Sequence, residues 1–233
     1  MVHRLVLWDI DGTLLSTGTV GRLALEQAAA AVADLGEIPK VKMSGKTDQR
    51  ILREILEAAG IDRARVDELL PEAMAVAIEL LASSRDRLRD EGIVHPGVGT
   101  LIDRLAEVPG VRQSLVTGNL AANARVKVET LGLHTHIDFD VGAYGDDHHD
   151  RNELVPMALE RVERLRGETY APGEVWVIGD TEHDLACARA AGVRCLLVGT
   201  NWDGKQDLSG LAPDAFVDDV SETDAVLELL TKS

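Results

Sequence analysis

Aromatic residues are scarce in this 233-residue chain, which holds three Trp, two Tyr and two Phe. So few large anchors offer little for an extended partner surface, and a monomer or small homo-oligomer is expected. Cysteine is nearly absent too. Cys187 and Cys195 make no framework pattern and suit a reducing, cytoplasmic compartment. No apolar run approaches the roughly 18 residues that cross a bilayer. The opening MVHRLVLWDID carries two acids, which is unlike a signal peptide. Positive charge is in the minority, with 24 Lys and Arg against 40 Asp and Glu, a net −16. Such a surface repels nucleic acid and anionic membrane, so neither is an expected partner.

What is present is an ordinary globular mixture, 45% hydrophobic and 27% charged. Its length suits one α/β domain carrying an inserted module. Short apolar runs at Leu5–Ile10, Val111–Val116, Glu174–Ile178 and Arg194–Val198, with a weaker one at Ala215–Val217, end in Gly, Asp, Thr or Asn. Runs with so little alternation predict strands buried on both faces of a parallel sheet. Helical patterns stand between most of them: Leu101–Ala106, the stripe of Ala124, Val128 and Leu131, and Ala186–Ala191. This alternation predicts a doubly wound, mainly parallel α/β core.

One stretch breaks the rhythm. Residues 16–91 contain no convincing strand. Thr47 or Asp48 can cap a helix with Ile51, Leu52, Ile55, Leu56 and Ala59 on one face, and Gly60 stops it. Pro71 fits the first turn of another, with Met74, Ile78, Leu81 and Leu88 at helical spacing. The alanines at 28–33 suggest close helix packing. Gly18 and the stretch Gly92–Gly99, which contains His95-Pro96-Gly97, are plausible hinges on either side. The expected division is an α/β core of residues 1–15 and 92–233, with an all-helical insertion at 16–91.

Ligands of open α/β sheets bind outside the carboxyl ends of the strands. Asp9 and Asp11 follow the first run, two residues apart and so able to point the same way. Gly12 then lets the chain turn sharply. Thr117-Gly118-Asn119 follows the second run and offers a hydroxyl and backbone amides to an oxyanion. Gly179-Asp180 follows the third, with Asp184 beyond. Four carboxylates in one crevice call for a hard divalent cation with oxygen ligands, and Mg²⁺ bridging a substrate phosphate is the natural one. One aspartate could then act as nucleophile through an aspartyl-phosphate, and a second could handle protons.

The segments Asp9-Ile10-Asp11-Gly12-Thr13-Leu14, Thr117-Gly118-Asn119 and Gly179-Asp180-Thr181-Glu182-His183-Asp184 resemble the first, second and fourth motifs of the haloacid dehalogenase-like superfamily. The 16–91 insertion resembles that superfamily's helical cap. Asp11 looks like the mark of the phosphatase branch, most like its phosphoglycolate phosphatase group. The resemblance implies that Asp9 attacks phosphorus, while Asp11 protonates the leaving oxygen and then activates water. It implies Mg²⁺ held by the Asp9 carboxylate, the Asp11 carbonyl and Asp180, with Asp184 close by. Thr117 and the Gly118 amide would hold phosphate oxygens, and Asn119 would line the site. The family's third motif usually places a Lys before a helix. Here Arg151 falls in that position, and its guanidinium can neutralise a phosphate as well. The implied reaction is Mg²⁺-dependent hydrolysis of a small soluble phosphomonoester, phosphoglycolate-like or a sugar phosphate. A sugar-phosphate mutase and a catalytically silent binding protein are the alternatives on the same fold.

Other residues carry two readings each. In the insertion's Ser44-Gly45-Lys46-Thr47-Asp48 loop, Lys46 or Arg50 reads an anionic group on the substrate, or both are solvated cations at a capped helix start. Trp8 either walls the site or packs in the core. The run Asp146-Asp147-His148-His149-Asp150 has metal-ligand chemistry but reads better as a polar loop. His183 is expected to be exposed in the first turn of its helix, and Trp202 to be a surface turn residue.

Overall fold

All five apolar runs form strands of a single parallel sheet. A computed structural model describes residues 3–200 and 208–232, and Trp202 lies outside the described residues. In chain order the elements begin with β1 (Arg4–Trp8), β2 (Leu15–Ser16), α1 (Val20–Ala33), α2 (Asp48–Ala58), α3 (Arg63–Ser83) and α4 (Arg85–Glu91). They continue with β3 (Ile93–Val94), α5 (Val98–Ala106), β4 (Val111–Leu115), α6 (Ala121–Thr130) and α7 (Leu154–Arg166). The last are β5 (Val175–Gly179), α8 (Glu182–Ala190), β6 (Arg194–Val198), β7 (Ala215–Val217) and α9 (Thr223–Thr231).

The sheet runs β4-β1-β5-β6-β7. Leu7 of β1 pairs with Ser114 of β4 on one side and Val177 of β5 on the other. The chain reaches β4 on one side of β1 and then crosses to β5 on the other. A crevice therefore opens at the carboxyl ends of these three strands. Side chains of β1 alternate between two cores. Leu5 and Leu7 pack with Leu154, Val155, Ala158 and Ala188 of α7 and α8. Val6 and Trp8 pack with Leu101, Ala124, Val128 and Val226 of α5, α6 and α9. Each such fully buried side chain contributes about 2 kcal/mol by the apolar area it removes from water. Trp8 belongs to this core, donating its indole N–H to Gln113 at 3.2 Å.

Helices α1–α4 lie between β2 and β3, which pair antiparallel as Leu15↔Val94 and Ser16↔Ile93. Ser16 thus sits in a two-stranded ribbon, where the sequence pattern puts it in the insertion. Two-residue strands are too short to show a period. The helices share a core of Leu25 and Ala28 from α1, Ile51, Leu52 and Ile55 from α2, and Leu69, Ala73 and Ala77 from α3. Thr47 caps α2, accepting from the Arg50 N–H at 3.2 Å. Pro71 is a correction: it lies in the interior of α3, whose start is set earlier by Asp62 accepting from the Arg65 N–H at 3.1 Å. An interior proline costs about 3 kcal/mol. The buried stripe of Val66, Leu69, Leu70, Ala73, Ala77 and Leu81 runs on both sides of it and outweighs that cost. Pro71 itself faces solvent, so water can take up the carbonyl it leaves unbonded. Among the described residues, no helix is long and apolar enough to cross a membrane.

Candidate active site

The strand ends deliver the carboxylates. The Asp9 N–H donates to the Ile178 carbonyl at 2.9 Å, continuing the β1–β5 ladder one residue and fixing the backbone from which its buried side chain projects. The chain then curls through Gly12 at φ +87°. A Cβ on Gly12 would stand 2.3 Å from Asp180 Oδ2, so both the dihedral and the close approach require glycine. Thr13 Oγ1 donates to Asp180 Oδ1 at 3.0 Å, tying the first strand end to the third. At the start of α8 the Asp184 carboxylate accepts from the Thr181 N–H at 3.0 Å and from its hydroxyl at 2.6 Å. Asp184 is therefore a helix-capping group and a site group at once.

Asp9, Asp180 and Asp184 are all buried, and each offers an oxygen to a set lying within 4.8 Å of one another. Burial pushes the Asp9 carboxyl up to about 6, against the pull of Arg151. It raises Asp180 further, helped by the negative charges of Asp184 and Asp9. Arg151 is buried against them, with Nη2 at 3.0 Å from Asp9 Oδ1 and also bonded to Asp184. Its Nη1 donates to the Gly45 carbonyl of the insertion at 3.3 Å. Three buried carboxylates against one guanidinium leave negative charge in excess. An all-oxygen, desolvated donor set of this kind fits a hard divalent cation.

Across the crevice, the Asn119 amide donates to Thr117 Oγ1 at 2.9 Å and to Asp11 Oδ2 at 2.8 Å. Lys127, which sequence reasoning missed, reaches the same place from α6. Its Nζ lies 2.6 Å from Asp11 Oδ2 and 2.5 Å from Asn119 Oδ1. A lysine at helical spacing on the Ala124, Val128 and Leu131 stripe that follows Thr-Gly-Asn was the available signal. Asp48, by sequence a possible cap, does more than begin α2. Its carboxylate accepts from the Leu120 N–H at 2.9 Å, and its own N–H donates to the Gly118 carbonyl at 2.7 Å.

This seam leaves no room for side chains. A Cβ on Gly118 would stand 2.2 Å from the Lys46 carbonyl oxygen, and one on Gly45 would stand 2.2 Å from His183 Cδ2. His183 is accordingly half-buried under the insertion rather than exposed. Lys46 lines the cavity, and it shares Glu54 as ion-pair partner with Arg50. The acids at 146–150 are occupied locally: Asp146 accepts from the Ala121 N–H at 3.0 Å, and Asp147 is paired with Arg161 at 2.5 Å.

These groups enclose a cavity of about 250 Å³ between the strand ends and the insertion. Its walls include Asp9, Asp11, Thr117, Gly118, Arg151 and Asp180. The model of the haloacid dehalogenase-like hydrolase family matches residues 6–189. Phosphoglycolate phosphatase of Chromobacterium violaceum is 30% identical over 226 residues, spanning 93% of each chain. Phosphoglycolate phosphatase of Pseudomonas putida is 27% identical over 228 residues, spanning 93% of this chain and 77% of that one. Among solved structures, a hydrolase from Pseudomonas syringae superimposes with a TM-score of 0.68 at 17% identity, covering 99% of this chain and 100% of that one. Matched over most of its length, motif aspartates included, the chain belongs to the haloacid dehalogenase-like hydrolases and is a phosphatase of their phosphoglycolate phosphatase-like group.

Proposed function

We propose that this protein is a Mg²⁺-dependent phosphomonoester hydrolase that acts on a small soluble phosphate through an aspartyl-phosphate on Asp9. The observation that carries the reading is the buried Asp9 at the cavity floor, with the Arg151 guanidinium 3.0 Å from its carboxylate and Asp180 beside it. An Asp9 oxygen attacks phosphorus, and the bond from phosphorus to the leaving oxygen breaks as Asp11 supplies that oxygen's proton. Asp11 then takes a proton from water, which attacks phosphorus and releases phosphate and the Asp9 carboxylate. Arg151, the Thr117 hydroxyl and the Gly118 amide hold the transferring oxygens, and Asn119 keeps Asp11 turned toward them. The Asp9 carboxylate, the Asp11 carbonyl and Asp180 would hold Mg²⁺, with Asp184 steadying Arg151 behind them. Bound there, the ion supplies positive charge against the phosphoryl oxygens.

In this reading residues 16–91 act as a cap that closes over the cavity and excludes water during transfer. Lys46 belongs to its substrate-facing wall. The test is phosphate release from a panel of small phosphomonoesters, with Mg²⁺ and with chelator, on the unaltered protein and Asp9→Asn. Release that needs both the metal and Asp9 is expected. Phosphate retained on an isomerised substrate would replace hydrolysis by the mutase reaction, and no turnover of any member would leave only a binding protein.

A further inference from the structure

Lys127 has no part in the reaction as assigned, yet both groups it holds do. It sits on α6 and is buried, with Nζ 2.6 Å from Asp11 Oδ2 and 2.5 Å from Asn119 Oδ1. An ammonium taken out of water is costly, and an apolar side chain would suit this place on the stripe of Ala124 and Leu131. The insertion closes over it as well. A Cβ on Gly21 of α1 would stand 3.4 Å from Lys127 Nζ. So the lysine is shut in with two partners, and both belong to the reaction.

The bonds among these three residues run in one direction. A lysine donates and cannot accept, so Lys127 fixes which end of the Asn119 amide is the oxygen. The Asn119 amide nitrogen is thereby sent to Asp11 Oδ2 at 2.8 Å and to Thr117 Oγ1 at 2.9 Å. Asp11 Oδ2 then carries two donors, while Oδ1 has no partner among the described residues. Asp11 lines the cavity, and its side chain is 43% exposed. With Oδ2 taken up by charge-assisted bonding, Oδ1 is the oxygen free to carry a proton. Arg151 offers no such control, since it is bonded to Asp9, Asp184 and the Gly45 carbonyl.

We propose that Lys127 is a positioning residue for proton transfer: through Asp11 Oδ2 and the Asn119 amide it aims Asp11 Oδ1 at the leaving oxygen. The proposal rests on the phosphomonoesterase reading and adds to it the group that orients its acid. Lys127 itself touches no reacting atom. Its effect falls hardest on substrates whose leaving oxygen needs a proton. An alkyl ester leaves as an alcohol, so its bond from phosphorus to oxygen breaks as Asp11 Oδ1 delivers a proton to that oxygen. An acyl phosphate leaves as a carboxylate and needs none.

The test compares kcat/KM for acetyl phosphate and propyl phosphate, with Mg²⁺, on the unaltered protein, Lys127→Met and Lys127→Arg. In Lys127→Met the acetyl-to-propyl ratio should rise at least about tenfold, a share of the ~10²–10⁴ that a placed acid contributes. In Lys127→Arg, whose guanidinium also only donates, the ratio should stay within about threefold of the parent's. A packing role slows both substrates together, so an unchanged ratio in Lys127→Met, or an equal rise in both variants, would overturn the proposal. Should Lys127→Met not fold, Asn119→Ala severs the same relay and should raise the ratio as far. An unchanged ratio there would overturn the proposal equally. No phosphate release from either substrate by the unaltered protein would sink the hydrolase reading and the proposal with it. Release with a ratio indifferent to Lys127 would sink the proposal alone.

Discussion

At the scale of single residues, the site is governed by charges held out of water. Arg151 serves Asp9 and Asp184 through one nitrogen and the Gly45 carbonyl through the other, a fork that a lysine cannot reproduce. Arg151→Lys is expected to lower kcat by about a hundredfold, checked by steady-state phosphate release beside an unfolding curve showing the fold intact. Asp48 gives a second prediction. Burial raises its carboxyl from 3.8 to about 6, against the opposing pull of Lys127. The folded protein thus takes up a proton near pH 6 that the unfolded chain takes up only near pH 4. This contribution to stability is therefore greatest below pH 4 and is lost as the pH rises through 6, to the extent of about 3 kcal/mol. Asp48→Asn should flatten the pH dependence of unfolding between pH 4 and 7 by that order, measured by urea denaturation in chelator. An unchanged slope would mean that Asp48 titrates as it does in the unfolded chain.

Between elements, what matters is the contact of the 44–48 loop with the turns after β4. The Asp48 N–H meets the Gly118 carbonyl, the Asp48 carboxylate meets the Leu120 N–H, and the Thr47 hydroxyl donates to the His149 carbonyl at 3.1 Å. Backbone comes so near backbone that Gly118 has no space for a methyl group. Gly118→Ala should therefore hold the insertion away from the strand ends and reduce kcat/KM by more than tenfold, while Tm falls only slightly. Kinetics and a melting curve on the same sample check it, and unaltered kcat/KM would show that the seam can widen without harm. The helix boundaries around this loop were legible because capping residues and apolar periods are local signals. Pro71 was misplaced because its helix is held by a buried stripe on both sides, a tertiary effect that outweighs a local one.

For the whole molecule, a net charge of −16 coexists with a cluster of three buried carboxylates, so a divalent cation is expected to stabilise the fold as well as the reaction. Saturating Mg²⁺ at about a hundred times its Kd would add about 2.7 kcal/mol, which for a chain of this size raises Tm by about 5–10 °C. Calorimetry with Mg²⁺ and with chelator measures this, and Asp180→Asn should remove most of the response. A Tm indifferent to Mg²⁺ would speak against a metal at these acids. The parallel sheet, the helical insertion and the strand-end aspartates could all be read from the chain, since apolar runs, periodicity and short motifs are written in neighbouring residues. The ion pairing of Lys127, Lys46 and Arg151 and the use of Asp48 as a bridge between insertion and core were decided only by the tertiary structure. Each depends on residues distant in sequence becoming neighbours out of water, where partners and desolvation, rather than residue type, determine what a charge can do.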